Sequence, residues 1–294
     1  MALFGAIATF SVAVAGVGAN EIQNPPKQLK VLMIGNSFSV QMVPSMPPVA
    51  RNLGLKLDVC SMFIGGCTLE RHWQNICALT STPYSVTRAT TEGAQHKAFM
   101  GNIPSVLASE KWDVVTIQQA SHFSWKPETY HPWGDNLVKY IREKAPQAKI
   151  FVHETWSYTP LDGRLVKWKI DQAEMYEKLH AAYADFAKGY GFDIIPTGTA
   201  VQLVRKELPV RHTENSLGGD VVGSCKFVEE GGKWIPKGDV FHMGPDGNYL
   251  QALVWTAKLF GVDVTECSYR PGKMSDDRAA FLRQMAMKAV EGKE

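Results

Sequence analysis

Five short apolar runs recur along the chain: VLMI at 31–34, LKLDVCSMFI at 55–64, WDVVTI at 112–117, KIFVH at 149–153 and FDII at 192–195. Runs of this length suit strands covered on both faces, as in parallel sheets. Between them lie stretches with helical character, Leu69 to Leu79, Trp133 to Lys144 and Ile170 to Lys188. Strands alternating with helices imply βαβ crossovers. The expected fold is α/β, a three-layer α/β/α sandwich on a flavodoxin-like parallel five-stranded sheet of order 2-1-3-4-5. Residues 208–238 are polar and Gly-rich and suggest an inserted β-hairpin turning at Glu230-Gly231-Gly232. Gly247 to Phe260 is a strongly apolar helix, and Asp276 to Val290 a final amphipathic one.

The ends and the composition narrow the class. Residues 1–19 carry no charged side chain and offer a small-residue cleavage site at Val17-Gly18-Ala19, the layout of a secretory signal peptide without its basic n-region. A polar, Pro-containing linker at 20–29 follows, leaving 30–294 as the folded domain. The leader is too short and too Gly/Ala-rich for a membrane span. An exported protein with no stable span after signal removal is expected. Net charge is +2 and spread along the chain, so no basic stripe argues for nucleic acid. There is no Cys-x-x-Cys pair, and the histidine spacings match no metal motif, so neither metal nor cofactor is expected. The five cysteines allow Cys67–Cys77 or Cys225–Cys267 pairs, and one must remain single.

Two segments carry candidate chemistry. Gly35 lets the chain turn at the end of the first strand, and Asn36 and Ser37 follow where a βα loop belongs. Ligands in open α/β sheets bind outside the carboxyl ends of the strands, so Ser37 is placed for a nucleophile; a helix cap is the alternative use. Asp239-Val240-Phe241-His242 precedes the apolar helix. If that segment turns, the Asp can hold the imidazole Nδ1–H while Nε2 takes a proton from a serine. A capped turn and a packed histidine are the plainer reading.

GNSF at 35–38 and DVFH at 239–242, at opposite ends of one α/β domain, resemble the SGNH hydrolases, also called GDSL-type esterases. Two intermediate blocks, Ile64-Gly65-Gly66-Cys67-Thr68 and WDVVTI with Gln118, resemble the family's second and third blocks in the right order. The resemblance runs from about Lys30 to Val262. The chain departs from the commonest pattern, which has Asp before the serine and Gly-x-Asn in the third block; here stand Asn36 and Gln118-Gln119. A glutamine there resembles a sialate O-acetylesterase-like branch and a poorly characterised bacterial branch. Thr155-Trp156, Ile195-Pro196 and Gly247-x-Tyr249-Leu250 look like the latter.

The resemblance implies a triad of Ser37, His242 and Asp239. It implies an oxyanion hole from the N–H groups of Ser37 and Gly66 and the side-chain amide of Gln118, with Gln119 as the alternative donor. Asn36, His72, Gln119 and Trp156 are candidate substrate contacts, the tryptophans at 125, 133 and 156 being possible platforms for sugar rings. The expected activity is a serine esterase acting on small acyl groups, acetyl foremost, of a carbohydrate or other small-molecule ester. The alternatives are a lipid or lysophospholipid esterase, and a catalytically silent carbohydrate-binding module.

Overall fold

The computed structural model describes residues 25–78, 82–93, 97–208 and 211–293. The expected signal peptide at 1–19, and the linker before residue 25, lie outside them. The amino-terminal half runs β1 (Gln28–Gly35), α1 (Ser37–Val40), α2 (Met46–Asn52), β2 (Lys56–Phe63), α3 (Leu69–Cys77), β3 (Tyr84–Thr90), β4 (Lys97–Gly101), α4 (Ile103–Ala108), β5 (Val114–Ile117) and α5 (Trp133–Lys144). It continues with β6 (Lys149–His153), α6 (Gly163–Trp168), α7 (Gln172–Tyr190), β7 (Asp193–Ile195), α8 (Thr197–Glu207), β8 (Val222–Glu230), β9 (Lys233–Met243), α9 (Pro245–Phe260) and α10 (Asp276–Glu291).

The main sheet has the order β4-β3-β2-β1-β5-β6-β7. Its parallel part, β2-β1-β5-β6-β7, is the expected 2-1-3-4-5 arrangement. The sheet nevertheless has seven strands, because β3 and β4 add antiparallel to the outer side of β2. β3 buries Tyr84 and Val86 and leaves Ser85 and Thr87 half-exposed, the alternation of a strand covered on one face. Helices α3, α4 and α5 contact one another, while α8, α9 and α10 form a second group that α2 joins through α9, giving two helical layers around the sheet. Every residue of α9 from Tyr249 to Ala257 is buried, as an all-round apolar helix requires.

The centre of the sheet fixes where the site is. Val31 to Ile34 of β1 pair with Val59 to Met62 on one side and Val114 to Ile117 on the other, all of them aligned in parallel. The loops leaving the carboxyl ends of β1, β2 and β5 therefore meet at one edge. Gly35 is needed at that meeting point, since a Cβ there would lie 2.1 Å from Ser39 Oγ and 3.0 Å from Gln118 Oε1.

The hairpin formed by β8 and β9 is a separate two-stranded sheet. Asp239 to His242 lie inside β9, not between the hairpin and α9 as the sequence suggests. Ser224 pairs with Asp239 but Val222 with Met243, so β9 holds more residues than β8 over this stretch. That irregularity bends β9 where it reaches the sheet edge.

Candidate active site

Side chains three apart in a flat strand point to opposite faces. The bulge in β9 removes that obstacle. Asp239 Oδ1 accepts the backbone N–H of Phe241 at 2.9 Å and of His242 at 2.8 Å, a turn that folds His242 back beside the carboxylate. Asp239 Oδ2 then meets His242 Nδ1. His242 Nε2 lies 2.8 Å from Ser37 Oγ. Burial pulls the Asp239 carboxyl upward, but the two backbone N–H groups and the imidazole outweigh it and hold the group below the usual carboxylate range. Asp239 is thus kept ionised where it orients the base.

Ser37 is the first residue of α1, whose N-cap is Asn36, and its N–H has no intrahelical acceptor. Gly66 sits in the left-handed region at φ +59°, which turns the β2–α3 loop toward Ser37. Neither N–H has an acceptor among the described residues. Two backbone donors without acceptors among the described residues therefore share the cavity of the Ser37 hydroxyl.

The third expected donor is placed differently. Gln118 does not line the cavity at Ser37. Its Nε2 donates to Asn36 Oδ1 at 2.9 Å. Asn36 Oδ1 also accepts the Phe38 N–H at 3.0 Å, which identifies it as the oxygen and fixes the orientation of Gln118. Gln118 Oε1 accordingly accepts from Ser39 Oγ at 2.9 Å and from His153 Nδ1 at 2.8 Å. His153 Nε2 in turn faces Gln251 Nε2 at 3.2 Å, and the same Gln251 nitrogen donates to the Phe38 carbonyl at 2.7 Å. Gln118 is the hub of a buried network beneath Ser37, with one Nε2 proton given to Asn36 Oδ1 and its Oε1 shared by two donors, and it does not reach the cavity.

Asn36 belongs both to that network and to the cavity wall. Its Nδ2 donates one proton to the Cys67 carbonyl at 3.1 Å, tying the glycine loop to the serine turn. The other proton has no acceptor among the described residues. Gln119 is no substrate contact either: its Nε2 donates to the Thr129 carbonyl at 2.9 Å, and its Oε1 accepts the Leu69 N–H at 3.1 Å. His72 is fully buried, with Nδ1 2.9 Å from Tyr84 Oη, so it does not line the pocket.

Trp156 is corrected as well. It is fully buried, stacked under Phe38 with ring centroids 4.1 Å apart, and its Nε1–H donates to the Phe241 carbonyl at 2.8 Å. It holds the bent part of β9 in place and offers no face to a sugar. Thr159 Oγ1 does the same for the Val240 carbonyl at 2.8 Å. Trp125 and Trp133 pack against the core, and neither reaches the cavity. All five cysteines are free thiols; burial pushes Cys67 up to about 12, so it is no rival nucleophile.

The cavity over Ser37 measures about 370 Å³. Gly65 and Gly66 form one side, and Phe38, Tyr158 and Phe241 form an aromatic wall. Ser121, His122 and Arg164 also line it, three residues for which the sequence reading names no role.

Over residues 30–215, well over half of the chain, the sequence matches the family described as Domain of unknown function (DUF4886). The chain belongs to the DUF4886 family. The matched stretch contains Ser37, Gly66 and Gln118, whereas Asp239 and His242 lie beyond it. Among solved structures the chain is similar to a DUF4886 family protein from Bacteroides uniformis: 29% identity, 90% of this chain and 95% of that chain covered, TM-score 0.76. A protein from Slackia heliotrinireducens, provisionally described as an SGNH hydrolase, matches at 21% identity over 77% of this chain and 96% of its own, with TM-score 0.49. An acetyl xylan esterase matches at 13% identity over 78% of this chain and 99% of its own, with TM-score 0.48. No curated protein is significantly similar in sequence.

Proposed function

We propose that the chain is a serine esterase that removes small acyl groups from an exported ester substrate through Ser37, His242 and Asp239. The observation that carries this reading is the 2.8 Å contact of Ser37 Oγ with His242 Nε2, with Asp239 on the other imidazole nitrogen. Nucleophile, base and orienter come from opposite ends of the chain, 205 positions apart between Ser37 and His242, and meet in a cavity bordered by unpaired N–H groups. A helix cap needs none of these partners.

In this reading Ser37 Oγ attacks the ester carbonyl while His242 Nε2 takes its proton. The tetrahedral oxyanion is held by the N–H groups of Ser37 and Gly66. Asn36 Nδ2, which lies on the cavity wall with one proton unclaimed, takes the third donor place, since Gln118 lies beneath it and outside the cavity. His242 gives its proton to the leaving alcohol as the C–O bond breaks, leaving an acyl ester on Ser37. Water, deprotonated by His242, then attacks that ester; the acid leaves and the proton returns to Ser37. Asp239 stays ionised and stabilises the transient imidazolium.

A cavity of about 370 Å³ favours short acyl groups. Acetyl is the group of choice, and a glycan or small molecule the alcohol; with Trp156 buried, the case for a sugar rests on family resemblance and the expected signal peptide. Among the described residues no helix is long and apolar enough to cross a membrane, which is compatible with export. The test is p-nitrophenyl acetate turnover by wild type and by Ser37→Ala, with octanoyl ester for comparison. Wild type should exceed Ser37→Ala by at least about a thousandfold, with acetyl preferred to octanoyl. Equal rates would remove Ser37 from the chemistry and leave the fold as a binding module.

A further inference from the structure

Arg164, in the first turn of α6, is held unusually firmly for a residue on a cavity wall. Asp162, the N-cap of that helix, accepts the Arg164 backbone N–H at 2.9 Å and its Nε at 2.9 Å through Oδ1, and Nη2 at 2.6 Å through Oδ2. The guanidinium carbon lies 4.2 Å from the ring centroid of Tyr158 and 4.1 Å from that of Phe241. Tyr158 is itself fixed by a 2.8 Å contact between its hydroxyl and Ser121 Oγ. One edge of the fork is thereby clamped and its plane is set against two rings. The outer edge is different: Nη1 has no acceptor among the described residues, and the Arg164 side chain keeps 34% exposure while Asp162 keeps 4%.

That open edge belongs to the same cavity as Ser37 and His242. The Phe241 ring centroid lies 4.1 Å from the guanidinium carbon and 4.1 Å from the His242 imidazole centroid. An acceptor on Arg164 therefore shares the cavity with the reacting ester. Asp162 and Asp239 both act on the charge of Arg164, and Lys126 adds a positive charge nearby. Its ammonium lies over the rings of Phe123 and Trp125, at 5.3 and 4.8 Å, and has no carboxylate partner among the described residues. Both cations act on His122, on the same cavity wall. A hydroxyl would satisfy one N–H of the open edge; a carboxylate matches two parallel N–H groups at once.

We propose that Arg164 is a specificity-determining residue that binds a carboxylate of the substrate, so that the esters hydrolysed are O-acyl groups on acidic molecules such as hexuronic or hydroxy acids. The inference rests on the esterase reading but is testable apart from it. The probes are 3- and 4-acetoxybenzoate and their methyl esters, which share skeleton and acetyl group and differ in the charge. Wild type should favour the acids in kcat/KM by about 10–100-fold, the range of a hydrogen-bonded charge. Arg164→Gln should bring that ratio close to one, and Arg164→Lys, which keeps the charge and loses the fork, should fall between. An unchanged ratio in Arg164→Gln, or a wild-type preference for the methyl esters, would overturn the proposal. Calorimetric titration of Ser37→Ala and Ser37→Ala/Arg164→Gln with the same pair needs no turnover. Stronger binding of the acid that vanishes with Arg164 supports the carboxylate site even where no ester is hydrolysed; equal binding by the two proteins refutes it.

Discussion

At the scale of single residues, Asn36 faces both the buried network and the cavity. Its oxygen accepts from Phe38 N–H and Gln118, duties an aspartate would perform equally well at a helix N-cap. Its Nδ2 protons would be lost, and a carboxylate oxygen would then face the Cys67 carbonyl in a buried site. Asn36→Asp is therefore expected to lower kcat on the order of 100-fold with little change in KM, and to lower stability by about 1–3 kcal/mol. Gln118→Met should act chiefly on stability. It strands the Ser39 hydroxyl and His153 Nδ1 in a buried site, at about 1–3 kcal/mol each, so thermal unfolding should shift markedly. A Gln118→Met enzyme that keeps its stability and loses only turnover would return the oxyanion role to Gln118. Sequence reasoning named Ser37, Gly66, Asp239 and His242, which the structure brings together, because their residue types and order are themselves the signal. It misplaced Gln118 because a side-chain amide's use depends on which partner claims it first, and His153 and Ser39 lie 35 and 79 positions away from it in the chain.

At the scale of elements, the site depends on β9 being bent. Trp156 and Thr159, both on the loop after β6, hold the carbonyls of Phe241 and Val240 at that bend. Trp156→Phe keeps the packing under Phe38 but removes the Nε1–H. It should lower kcat about tenfold or more and destabilise by about 1–2 kcal/mol, as steady-state kinetics and urea denaturation would read. The central strands were legible because burial on both faces writes itself as an unbroken apolar run. β3 and β4 were not, since an edge pair covered on one face carries Ser, Thr and Arg between its apolar positions. The bend in β9 was equally hidden: Asp-x-x-His states which residues are present, not that β8 falls short of β9 by enough to turn them together. Arg164 was missed for a related reason, as α6 is six residues long and too short for periodicity to declare it.

For the whole molecule, buried histidines set the response to acid. Burial pushes His153 from 6.5 down to about 3, and burial with the nearby Arg71 does the same to His72. In the unfolded chain both take a proton near 6.5. As pH falls from about 6.5 toward 3, the unfolded state binds protons the folded state refuses, so stability declines. The slope approaches about 1.4 kcal/mol per pH unit for each histidine, and above about pH 6.5 the effect vanishes. Urea denaturation at about pH 7 and pH 4.5 should show the loss, reduced in His72→Gln; a flat profile would mean that these imidazoles accept protons in the folded state. The fold thus keeps its buried imidazoles neutral while His242, at the sheet edge, faces the cavity. The most direct test of that assignment is covalent. Treatment with a fluorophosphonate, followed by peptide mass spectrometry, should place one adduct on Ser37, absent in Ser37→Ala and formed far more slowly in His242→Ala. Labelling that bypasses Ser37, or that proceeds at the same rate without His242, would contradict the triad.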